Sequence, residues 1–160
     1  MASKQGDVAL LNEPVAQKLL QSTIPARLAY NWSDGTPRVQ PMWFHWNGEQ
    51  IVMASPPNAP KLKALSQNAK VALTIDDKDY PYKVLLVRGT VQVELIQGAV
   101  PEYVASAKRY LGEEGSKGFL EMYNNMFPKE NARITVQPEW VGLIDMETRF
   151  PSAFEAKMAG

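Results

Sequence analysis

Pro41 stands inside an apolar run, PRVQPMWFHW from Pro37 to Trp46, and constrains what the chain can build there. A proline offers no N–H to a sheet ladder, so it confines this strand to an edge, a strand start or a bulge. Gln40 precedes it and is pushed towards extended geometry. Asn47-Gly48 follows, two residues that accept positive φ, and predicts a tight hairpin into a second apolar strand from Gln50 to Ser55. The chain then bends through Pro56-Pro57-Asn58-Ala59-Pro60 into Lys61. Two readings fit this stretch. In one, the interrupted ladder beside aromatic side chains holds a flat, partly polar ligand, with Lys61 near an anion. In the other, it is a buried hairpin ending in a solvated lysine.

The rest of the chain supplies a sheet and its cover. Met1 to Leu11 reads as a loosely held arm. Asn12 is placed to cap a helix whose first turn holds Glu13 and Pro14, with Val15, Leu19 and Leu20 as its apolar stripe. Leu28, Tyr30 and Trp32 alternate as a strand, and Ser33-Asp34-Gly35-Thr36 turns it back antiparallel onto the Pro37–Trp46 segment. With Gln50–Ser55 these predict a three-stranded meander. Pro60 heads a short helix carrying Leu62 and Leu65. Val71, Leu73 and Ile75 alternate as the next strand. Lys83 to Leu95 is long and valine-rich, and Gly89 in its middle marks a bulge or bend. Gln97 to Phe127 is helical in pattern, broken by Gly112 and Gly115, and its aromatics and methionines read as core. Ala132–Gln137 and Trp140–Met146 are the last strands, separated by Pro138-Glu139. The tail from Glu147 has little pattern, though Phe150 and Phe154 can dock on a neighbour.

The expected fold is therefore mainly β with α: a small closed or split barrel of about six mostly antiparallel strands, with helices packed outside. A chain of 160 residues fits one domain over residues 1–160. The 17 basic and 17 acidic side chains cancel, so no general attraction to nucleic acid or an anionic membrane is implied. With no cysteine there is no disulfide and no thiolate, and a single histidine, His45, excludes a metal site of several imidazoles. No apolar run is long enough for a membrane span, and the expected setting is cytoplasmic.

One pattern resembles a known family. A small residue and a proline in a turn lead into V-x-P-x-W (Gly35, Pro37, Val39, Pro41, Trp43). Lys61 heads a helix with Leu65 four residues on, then Asn68-x-x-Val71, then Val87-x-Gly89-x-Val91. The order and spacing are similar to the FMN-binding split-barrel superfamily, which includes pyridoxamine 5'-phosphate oxidase and the deazaflavin-dependent reductases. The resemblance runs from about Val15 to Met146. It implies a homodimer with the cofactor in a groove between subunits, and FMN as cofactor, with deazaflavin coenzyme F-420 as the alternative.

The resemblance also implies roles. Arg38, Val39, Gln40, Pro41, Met42 and Trp43 match the strand that lines the isoalloxazine and reaches towards the phosphate. Ala54 and Ser55 match the end of the next strand, where backbone and a hydroxyl contact the cofactor. Lys61 matches the phosphate-contacting lysine, and a cation at a helix start is unfavourable for the dipole unless an anion binds there too. Lys63 lies about 200° round the helix and does not share that oxygen. Two departures stand out. Trp43 occupies the position of the oxidase's substrate-binding lysine, and Glu147 to Gly160 carries no arginine-rich substrate motif, only Arg149.

A flavin performs hydride transfer itself, so no triad or carboxylate pair is required, and the sequence shows none. His45 is a candidate proton donor, though its place between Phe44 and Trp46 suits a structural role. Trp43, Phe44 and Trp46 read either as walls for a flat apolar substrate or as core and dimer interface. Two functions stay open: an oxidoreductase acting on a small molecule other than pyridoxamine phosphate, and a non-catalytic binder of flavin, deazaflavin or tetrapyrrole.

Overall fold

Strand alternation in the sequence becomes one antiparallel sheet. The computed structural model describes residues 3–160. Helix α1 (Pro14–Leu20) precedes β1 (Ala26–Asn31), β2 (Pro37–Met42), β3 (His45–Trp46) and β4 (Ile51–Ser55). Helix α2 (Lys61–Gln67), β5 (Lys70–Asp76), β6 (Val84–Gln97), α3 (Pro101–Met126), β7 (Glu130–Ile144) and α4 (Ser152–Met158) follow. The seven strands run in the order β2-β1-β5-β6-β7-β4-β3. The sheet is mainly β with helices outside and is not closed. Its two edge strands, β2 and β3, are neighbours in sequence, joined only by Trp43 and Phe44.

That order corrects the expected meander. The Pro37–Trp46 segment splits after Met42, while the two expected last strands merge into β7, giving seven strands. The Ser33–Thr36 turn does pair β1 with β2, from Ala26↔Met42 to Asn31↔Pro37. The Asn47-Gly48 hairpin also forms, but it joins only β3 and β4, through His45↔Val52 and Trp46↔Ile51. Strand β4 pairs next with β7 and not with β2. The physical reason is at Phe44, whose side chain is fully buried. Its carbonyl accepts from the Arg109 Nη2 instead of from a strand, and Arg109 Nε donates to Ser22 O at 3.0 Å. Turn propensity alone cannot see an acceptor claimed by a residue 65 positions away.

Gly89 is the bend that was expected, and the geometry shows why glycine is needed. Strands β6 and β7 pair along almost their whole length, with the register slipping between Arg88↔Trp140 and Gly89↔Pro138 so that Glu139 bulges. A Cβ on Gly89 would lie well inside contact distance of the Gln137 carbonyl oxygen. Pro138 and Glu139 therefore do not separate two strands, as the sequence suggested. Pro138 needs no ladder N–H at a bulge, so β7 stays continuous.

The inward rows follow the period of two: Ala26, Leu28 and Tyr30 on β1, Val71, Leu73 and Ile75 on β5, Leu85, Val87 and Val91 on β6. Leu65 of α2 covers one end of this core and Leu10, Leu19 and Leu20 another. The N-terminal arm is thus tied rather than loose. Leu10 and Leu11 are buried, Gly6 N donates to Val141 O at 2.7 Å, and the Gln5 amide exchanges hydrogen bonds with the Leu143 backbone. Met1 and Ala2 lie outside the described residues. Asn12 ends a 3-10 turn, and Glu13 takes the N-cap position without a side-chain bond, while Pro14 opens α1 as expected. Helix α3 kinks at Gly112 (φ 79°, ψ 166°) but runs through Gly115. The tail, read as patternless, holds α4.

Gly89→Ala should be among the most damaging single-methyl changes in the chain. Overpacking against backbone costs about 1–3 kcal/mol or more, because backbone cannot rotate aside. Urea denaturation should show a lower midpoint with an unchanged m-value. Wild-type stability in this variant would mean that β6 and β7 can separate here without loss.

Candidate functional site

The residues around β2 divide by strand parity. Gln40 and Met42 share one face, while Val39 and Pro41 point the opposite way. Lys61, the first residue of α2, reaches the inner of these faces. Its ammonium donates to Gln40 Oε1 at 3.2 Å and lies 3.7 Å from Met42 Sδ. Among the described residues it makes no ion pair with a carboxylate. Burial disfavours the charged form and lowers its pKa from the ordinary 10.5. Half-buried positive charge with only a neutral amide for a partner suits an anion.

The other sequence candidates sit as follows. Arg38 turns back on its own turn, donating to Thr36 Oγ1 at 2.6 Å and packing 5.4 Å from the Trp32 ring centroid. Val39 is 69% exposed on the outer face of an edge strand, an unusual place for a valine. Ala54 and Ser55 end β4, opposite Arg133 and Ala132 of β7. Ser55 shares the inward row with Met53 and is buried, and its Oγ has no hydrogen-bond partner among the described residues. Ala54 lies on the opposite face with Arg133, beneath α3. Ser55 and Lys61 thus bracket the proline-rich bend, one with an unused hydroxyl and the other with an uncompensated charge. Those are the donors that the phosphate end of a flavin or deazaflavin requires, so the residues present fit such a group.

Trp43 is separated from this polar set. Its ring stacks on Tyr110 (5.1 Å between centroids, 6° between planes) and touches Phe119 (5.2 Å) and Tyr103 (6.0 Å), all from α3. Tyr103 continues to Tyr123 at 4.9 Å. Burial raises the pKa of Tyr103, and burial with the neighbouring Tyr103 pushes Tyr123 up to about 12. Both stay protonated and neutral at physiological pH. Arg109 of α3 points inward and holds the Phe44 carbonyl. Arg133, on β7, pairs with Glu102 and, at 3.6 Å, with Glu94. No local signal marks either arginine, because their partners come from distant elements.

His45 carries a lowered pKa, first from burial and then from the nearby Arg109, with Glu102 opposing. It is therefore neutral at pH 7. Among the described residues no group of three or more His, Asp or Glu can hold a metal ion, and no helix is long and apolar enough to cross a membrane. This arrangement is suited to an anionic, flat molecule. It offers no charged acid–base pair.

Comparison with known proteins gives a consistent picture. A family model described as pyridoxamine 5'-phosphate oxidase matches residues 13–144. No curated protein matches the chain. Among solved structures, an F420 reductase is 28% identical with a TM-score of 0.61, over 79% of this chain and 94% of its own. A conserved hypothetical protein from Mycobacterium tuberculosis superposes with a TM-score of 0.68 at 17% identity, covering 91% of each chain. A FAD-binding protein from Mesorhizobium loti gives 0.51 at 17% identity, over 79% of this chain and 89% of its own. The last two establish likeness of fold.

The state of Lys61 without an anion leads to a prediction. Its folded pKa lies below 10.5, so between that lowered value and 10.5 the unfolded chain holds more protons and stability rises with pH. At pH 7 in the absence of anions the charge is a cost. Lys61→Met should therefore leave thermal stability unchanged within about 0.5 kcal/mol or raise it. A marked fall in melting temperature would show that the Gln40 contact is structural.

Proposed function

The chain belongs to the pyridoxamine 5'-phosphate oxidase family, and from that premise we propose that it is a flavin-binding oxidoreductase acting on a small molecule other than pyridoxamine phosphate. The observation that carries this is Lys61: a partly desolvated cation, without a carboxylate partner, held against the strand that the family's pattern assigns to the cofactor. In this reading Lys61 contacts the cofactor phosphate, and Ser55, at the other end of the Pro56–Pro60 bend, supplies its unpaired hydroxyl. The strand from Arg38 to Trp43, with Gln40 and the Pro41 interruption at its centre, lines the ring, and Ala54 contributes backbone.

When bound, the cofactor supplies hydride transfer. The protein's own groups fix its position, exclude water and shape what can approach. His45, Tyr103 and Tyr123 are neutral on the substrate side, and the nearby Arg109 guanidinium is engaged with the Phe44 and Ser22 carbonyls. Trp43 stands where the oxidase has its substrate lysine, and it is backed by the rings of α3. A flat, weakly charged acceptor can stack there. An anionic vitamer loses a charged hydrogen bond worth about 1.5–3 kcal/mol.

FMN is the proposed cofactor, and the 28% identity to an F420 reductase favours the deazaflavin coenzyme as the second reading. A homodimer with the cofactor between subunits belongs to the same proposal, supported by the exposed Val39 on an edge strand. One domain over residues 1–160 and a cytoplasmic setting complete it, and both rest on the sequence.

Two measurements test the reading. Titration of FMN, and separately of the deazaflavin coenzyme, should give saturable binding that Lys61→Ala weakens by roughly one to two decades with normal melting, the worth of one charge-assisted contact. Equal affinity in the variant removes Lys61 from the site. The loaded protein should then turn over planar quinones or heterocycles and be slow with pyridoxamine phosphate. Efficient oxidation of that vitamer overturns the substrate assignment, and tight binding without any turnover makes the protein a carrier.

A further inference from the structure

Helix α4 is too short to stand alone. Isolated helices shorter than about 12 residues are marginal in water. Ser152–Met158 has seven residues, and none of them is buried. Phe154 is 56% and Met158 71% exposed. They lie four residues apart, on one stripe of the helix. Glu155 and Lys157 flank that stripe on opposite sides, and neither makes an ion pair among the described residues. The base of the tail is nonetheless fixed. Asp145 accepts from the backbone N–H groups of Glu147, Thr148 and Arg149, Arg149 donates to Ser3 O at 2.7 Å, and Glu147 pairs with Lys83. A firmly rooted helix therefore presents an apolar stripe edged by one negative and one positive charge.

A cleft of about 290 Å³ has the complementary pattern. Pro14, Val15, Leu19 and Ile24 form its apolar wall, and Lys18, Asp77 and Lys83 stand in its lining. Lys83 is already paired with Glu147 at the root of the tail, whereas neither Lys18 nor Asp77 makes an ion pair among the described residues.

We propose that α4 of a second copy of this chain docks in this cleft. Phe154 and Met158 fill the apolar part, Glu155 meets Lys18 and Lys157 meets Asp77. The exchange is reciprocal, as a two-fold dimer demands. It ties each tail to the partner's first helix. The inference rests on the dimer proposed above but not on any cofactor.

The test uses the full-length chain with a photo-crosslinking amino acid at Phe154. Unlabelled and ¹⁵N-labelled chains are mixed, irradiated and digested, and sedimentation is measured on the same samples. The expected product joins residue 154 to peptides of α1 or residues 21–24, with mixed isotopes showing that the two came from different chains. In addition, Lys18→Glu should reduce the crosslink several-fold, and Glu155→Lys in the same chain should restore it. A dimer that crosslinks only within one chain, or not at all, overturns the tail exchange and leaves the dimer standing. A monomer at micromolar concentration overturns both.

Discussion

The close approach of β6 and β7 at Gly89 is the contact on which the other parts depend. Both strands are long, and each serves two neighbours at different points. The early half of β6 carries β5, and through it β1 and β2, while the early half of β7 carries β4 and β3. Without the bulge at Glu139 a ladder of this length would continue nearly straight, and its two attached groups would diverge. The bend curls them towards each other. A missing side chain at one position is thus what brings β2 and β3, the two ends of the sheet, within two residues of chain.

Closing that gap carries its own cost, since a chain leaving one edge to join the other forfeits ladder hydrogen bonds. Arg109 answers it from α3 by donating to Phe44 O and to Ser22 O at once. Its guanidinium also lies 4.9 Å from the Phe44 ring centroid. Trp43 goes the other way, into the rings of α3. The crossing therefore sorts its two neighbouring aromatics, one into the core and one under the helix. The polar row of Gln40 and Lys61 is left to itself. Separation of a polar anchor from an aromatic wall is what a flat cofactor with an anionic tail and a flat partner requires.

Much of this was legible in the chain, and what was not shares one cause. Alternation found β1 and β5, a long valine-rich run found β6, turn residues found both local hairpins, Gly89 announced the bulge, and Gly112 announced the kink. Each of those signals spans a few residues. The errors came where a local rule met a distant partner. Asn47-Gly48 formed its hairpin, yet β2 was not in it, because Phe44 had been claimed by Arg109. Pro138 looked like a stop and proved to be the bulge opposite Gly89. Arg109 and Arg133 carry no local mark of their roles, because Phe44 and Glu102 are far away in sequence. Lys61 could be suspected from its place at a helix start, but its contact with Gln40 depends on the curl of the whole sheet.

The same topology bears on how the chain reaches its native state. The pairs β1–β2, β3–β4 and β5–β6 are each joined by short connections, so they form from local contacts on the microsecond scale of hairpins. The β6–β7 ladder is different: it must close across the whole of α3 before its first hydrogen bond is made. Loop closure of that size precedes the reward, and non-local pairing of this kind is what slows folding. A ladder so long also has many wrong registers. Only one of them puts a residue without a side chain against the Gln137 carbonyl, so Gly89 acts as a reading mark, rejecting misaligned pairings as the two strands meet.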